Sequence, residues 1–60
     1  MKYYLEVFVV TDPEKPIQVN NVLANNKDDA MGLAKLIILT CYKNVKSVRQ
    51  ILKINCHMLH

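Results

Sequence analysis

One glycine and two cysteines are all that this sixty-residue chain contains of two residue types on which small-protein chemistry often rests, and its only serine is Ser47. With one glycine, no Gly-rich loop can cradle a phosphate. Ser47 sits in a turn, and no histidine or acid is placed by the sequence to activate it as a nucleophile. The five carboxylates fall in turns, at a helix start and at one strand position. Asp28 and Asp29 are explained by the positive end of a helix dipole, at less cost than by an acid pair or a Mg²⁺ site. No enzyme and no cofactor are expected. Long apolar runs are also missing: none approaches the 18 or so residues that span a bilayer. The apolar N-terminal run carries Glu6 and meets no small-residue cleavage site, so a leader is not expected.

What remains is the composition of a chain that folds, with 52% hydrophobic and 22% charged residues. A domain of this size buries only about 60% of the surface its unfolded chain exposes, so a partner subunit would help it. The formal charge of +3 and pI near 9.0 favour polyanionic partners without requiring them. Two cysteines are too few for a secreted disulfide scaffold, so Cys41 and Cys56 are expected to be separate thiols in a cytoplasmic protein. Cys41 near a helix end and Cys56 well along the following strand also lie too far apart for a bridge.

Four segments account for nearly all of the chain. Tyr3 to Val10 reads as a strand apolar on both faces, hence central in a sheet. Thr11 to Pro16 reads as a turn, with φ preset by Pro13. Ile17 to Ala24 reads as a second, edge strand whose pattern changes phase. Ile17 and Val19 share one face and Val22 and Ala24 the other, so a β-bulge near Asn20 and Asn21 is needed to point both pairs inward. Asn26 reads as the N-cap of a helix running to about Lys43 and stopped at Asn44. Ser47 to Met58 alternates, with Val48, Leu52, Ile54, Cys56 and Met58 on one face and Arg49, Ile51, Lys53, Asn55 and His57 on the other. The expected fold is therefore α+β: one β-β-α-β domain with a three-stranded mixed sheet of order 2-1-3 and one helix on one face, the first strand antiparallel to both neighbours.

Two surfaces are left over. At 100° per residue, Ala30, Met31, Leu33, Ala34, Ile37, Ile38, Cys41 and Tyr42 form the core half of the helix. Gly32, Leu36, Leu39 and Lys43 then lie on the outer side, as two scattered exposed leucines or as a helix-helix homodimer seam in which Gly32 permits close approach. On the open sheet face, Tyr4, Phe8 and Val10 are expected to share the outward direction of Glu6, and Arg49, Ile51, Lys53 and His57 are expected alongside. Rings flanked by cations are the arrangement that single-stranded nucleic-acid platforms use. The same patch is apolar enough to meet a protein target or another subunit. Pairing through the long, proline-free edge of the third strand is a further route to assembly. A metal site at Cys56, His57 and His60 is not expected, because Cys56 and His57 point to opposite faces of a strand and His60 is terminal.

Compact, glycine-poor chains of this size look like bacteriophage or prophage accessory proteins, a likeness of style that covers no motif. What it implies is a protein that binds and blocks a larger one. The functional expectation is a small intracellular binding or regulatory protein without a membrane partner, homodimeric and directed at a protein target. The alternative is a single-stranded nucleic-acid binder.

Overall fold

The computed structural model describes residues 1–59 of the chain. Its order is β1 (Lys2–Val9), β2 (Asp12–Leu23), α1 (Lys27–Cys41), a single 3-10 turn η1 (Val48–Gln50) and β3 (Ile51–Leu59). The sheet runs β2-β1-β3, and β1 is antiparallel to both neighbours. Strand order and directions are those expected. The sheet is antiparallel and not mixed, because β2 and β3 are not neighbours and every bonded pair is antiparallel.

Alternation in β1 separates the two faces cleanly. Tyr3, Leu5, Val7 and Val9 are buried, whereas Tyr4, Glu6 and Phe8 between them are half-buried. The buried set joins Val19, Val22, Ala30, Ala34, Ile38 and Val45 in one cluster, so α1 covers one face of the sheet and leaves the other open.

The hairpin between β1 and β2 is tighter than the sequence suggests. Val9 pairs with Asp12, leaving Val10 and Thr11 as the turn. Pro13 and Pro16 lie within β2 and do not set a turn. β1 advances two residues from Val7 to Val9 while β2 covers five from Ile17 to Asp12, and an edge strand tolerates such slack and the missing proline N–H groups. The second irregularity is the expected bulge: Tyr3 pairs with Val22 and Leu5 with Val19. Asn21 takes the left-handed conformation there, with φ 59°, which asparagine tolerates better than most residues. Val19 and Val22 are buried as a result.

Asn26 caps α1 as expected, its side-chain oxygen accepting the Asp29 N–H at 2.9 Å, with Asp28 and Asp29 in the first turn. The helix stops at Cys41, two residues early, and Tyr42 is its C-cap. The following loop is pinned by Val45, which is buried and donates its N–H to the Tyr42 carbonyl at 3.1 Å. Gln50 accepts the Lys46 N–H through Oε1, and Ser47 Oγ accepts the Arg49 N–H at 3.2 Å. These bonds close η1 where the sequence pattern suggested strand.

The core stripe of α1 is narrower and rotated relative to expectation. Only Ala30, Ala34 and Ile38 are buried, with Met31 and Leu39 packed against the cluster. Leu33 and Ile37, assigned to the core half by spacing, are exposed by 41% and 38%. A Cβ added at Gly32 would meet nothing within 4 Å. Gly32→Ala is therefore expected to stabilise the fold by roughly 0.5–1 kcal/mol, raising the thermal midpoint by about 2–8 °C in a domain of this size. A lower midpoint would mean that Gly32 is covered in solution.

Candidate interaction surface

The open face of the sheet is built on β1 by the same alternation that fills the core. Tyr4, Glu6 and Phe8 stand in a row, and register sets His57 beside Tyr4, Asn55 beside Glu6 and Lys53 beside Phe8. Gln18 of β2 flanks Glu6 on the other side. The Tyr4 and His57 rings stack with centroids 5.7 Å apart and planes at 28°. His57 Nε2 lies 3.5 Å from Glu6 Oε1, and Lys53 Nζ sits 5.8 Å from the Phe8 ring centroid. Each contact is weak alone. An exposed cation over a ring is worth about 0.5–1 kcal/mol, and an exposed ion pair typically less than 1 kcal/mol. Together they set Lys53 and His57 beside the two rings on the β3 side.

Val10 falls in the turn after β1; of the seven residues expected beside Glu6 on this face, Tyr4, Phe8, Lys53 and His57 are brought together. Ile51 and Arg49 are not. Phe8 pairs with Lys53 but Val9 pairs with Ile51, so Leu52 is an extra residue and the alternation reverses there. Ile51 consequently packs against the core, and Leu52, expected inside, is 56% exposed. Arg49 belongs to η1 and precedes the strand. Glu6, read from sequence only as a marker of the outward face, is the group that ties the face together. Its signal was present: a carboxylate two residues from Tyr4 in a strand shares that side.

The helix surface also differs from the expected seam. Leu36 is 61% exposed and Gly32 is open, but Leu39 packs on the core and Lys43 lies beyond the helix end. Leu33, Leu36 and Ile37 form the exposed apolar stripe instead. Beside it, Met1, Leu23, Ala24, Gly32 and Leu33, together with Asp28 and Asp29, line an open groove of about 740 Å³.

Cys41 and Cys56 are free thiols, the first exposed and the second half-buried. His60 lies outside the described residues. Among the described residues no three His, Cys, Asp or Glu side chains are grouped to hold a metal ion, and no helix is long and apolar enough to cross a membrane. No family model, curated protein or solved structure matches the chain.

Desolvation, and after it the negative charge of Glu6, raise the Tyr4 phenol above its ordinary pKa of 10.0. The folded state thus keeps a proton that the unfolded chain has released, and its stability is lost as pH rises from about 10 toward the folded value. Between pH 9 and 11 the wild-type chain is expected to lose more unfolding free energy than Tyr4→Phe, and Glu6→Gln to reduce the difference. Equal losses in wild type and Tyr4→Phe, followed by chemical denaturation, would contradict this assignment.

Proposed function

We propose that this chain is a non-enzymatic binding protein that acts by covering a surface of a protein partner with its open sheet face. One observation carries the reading: apolar area remains uncovered after the core is complete. Leu23, Leu36 and Leu52 are exposed by 70%, 61% and 56%, and Phe8 and Tyr4 lie half-buried on a face with no second layer. Isolated exposed leucines are ordinary, but this many around a sixty-residue core are better accounted for by association. Aromatic side chains at the centre of such a face are the usual anchors of a protein interface. Phe8→Ala is expected to weaken partner capture by at least about 5-fold, or 1 kcal/mol, while leaving the far-ultraviolet circular dichroism unchanged. A nuclease-resistant partner retained equally by wild type and Phe8→Ala would remove this face from the reading.

The spacing of rings and cations supports a second reading, binding of single-stranded nucleic acid. Bases would stack on Tyr4 and Phe8 while Lys53 and His57 follow phosphates. For short labelled oligonucleotides, affinity is then expected to fall with salt, at a log-log slope of about −0.7 for each phosphate neutralised. Phe8→Ala would cost about 1–3 kcal/mol. Absent or salt-insensitive binding in a fluorescence anisotropy titration rejects this reading.

A further inference from the structure

Among the described residues the third strand has one side without a partner, and its backbone phase can be worked out. Met1 and Ala24 exchange both bonds, N–H to carbonyl, at 3.0 and 2.9 Å. Odd-numbered residues of β1 therefore bond toward β2. The Val10 N–H donates to the Gln50 carbonyl at 2.9 Å, so even-numbered residues bond toward β3, as strict alternation requires. By register, Lys53, Asn55, His57 and Leu59 are the β3 partners of those even residues. The backbone groups of Ile54, Cys56 and Met58 consequently point outward, away from β1. β3 contains no proline, and its pairing with β1 is unbroken from Lys53 to Leu59. The other edge, β2, carries Pro13 and Pro16, two register shifts and a left-handed Asn21. The chain thus blunts one edge of its sheet and leaves the other able to pair.

We infer that β3 pairs antiparallel with β3 of a second copy of this chain, joining two three-stranded sheets into one of six. The proposal deepens the reading that the uncovered apolar area serves association, and names the first partner. Full overlap of Ile51–Leu59 with itself places the twofold axis at Asn55. In that register Ile54 and Cys56 of one copy exchange bonds with Cys56 and Ile54 of the other, using the groups that point outward. The register also sets Leu52 opposite Met58, two side chains exposed by 56% and 48% in the single chain, and pairs them twice. On the open face Lys53 of each copy meets His57 of the other. Glu6, 3.5 Å from that histidine, supplies the negative charge facing the pair. Asn55 would meet its own copy at a non-hydrogen-bonded position, where Cα atoms lie about 4.5 Å apart, within disulfide range.

In a Cys41→Ser, Cys56→Ala background, Asn55→Cys is expected to convert to a disulfide-linked dimer on air oxidation, whereas Gln18→Cys, on the same face of the blunted edge, stays monomeric. Light scattering of the wild-type chain at about 100 µM is expected to give twice the 6.9 kDa chain mass. Cys56→Pro removes an outward N–H without breaking a bond to β1, and is expected to lose the dimer while keeping its circular dichroism; Leu36→Glu is expected to keep the dimer. A wild-type chain monomeric at that concentration overturns the proposal, as does a dimer abolished by Leu36→Glu but not by Cys56→Pro. Should Cys56→Pro fail to fold, failure of Asn55→Cys to cross-link overturns it alone. None of these outcomes touches the Phe8→Ala test, so the open-face reading can survive the loss of this one.

Discussion

Everything else in this fold follows from how little of its helix touches its sheet. The buried stripe of α1 is Ala30, Ala34 and Ile38, and side chains as short as two alanines allow a helix to lie close to a sheet. Close approach completes the burial of Leu5 and Val7 at the centre of β1, where both have no exposed surface. The same closeness narrows the contact, because one short helix over three strands cannot also cover the margins. Leu33, Leu36 and Ile37 stay out on the helix, and Leu23 and Leu52 on the flanking strands. At roughly 0.05–0.15 kcal/mol per residue, a chain of this length has only about 3–9 kcal/mol of stability, so margins left wet matter to the whole.

The expected fold survives where a pattern is long and uninterrupted. β1 is apolar on both faces and has neighbours on both sides; Asn26, Asp28 and Asp29 start the helix where they should; the phase change around Asn20 and Asn21 is a bulge. On β3 the departure comes from propagating a period past a defect that has no clear residue signature. Alternation read backward from Ile54 assigns Ile51 to the open face, and one extra residue at Leu52 reverses it. Nothing about Leu52 announces a bulge, as an asparagine pair does. Spacing on α1 fails differently: a 100° wheel ranks residues by angle but does not know that two alanines narrow the contact, so Leu33 and Ile37 are drawn inside. Val45 is missed because a lone valine between Asn44 and Lys46 has no periodicity to report its burial.

The open face shows what was legible of the site. Glu6 fixes which side of β1 faces outward, and Tyr4 and Phe8 follow from parity alone. Lys53 and His57 follow too, because they lie on the unbroken side of the β3 bulge. The pairing of individual groups needs coordinates, since register decides whether His57 stands beside Tyr4 or beside Phe8. With His57 at Tyr4, its imidazole reaches Glu6 as well, and the row acquires a carboxylate at its centre that moderates its positive charge. A protein target with mixed charge suits that row better than a uniformly anionic one.

Pairing through β3 would change the balance. A twofold axis normal to the sheet keeps both helices on one side and merges both open faces on the other. The merged face would be centred on two Asn55 side chains, with two Lys53–His57 pairs along the seam and Tyr4, Glu6 and Phe8 of each copy one strand further out. The aromatic anchors would then become two sets related by symmetry. In such a pair the small patch of the single chain would become a longer one, with two Lys53–His57 pairs between aromatic flanks. A target contacting both halves of such a pair would gain by effective concentration without any new contact, so a weak patch on each copy would suffice, and an unblunted sheet edge would serve a chain too small to bury its own margins.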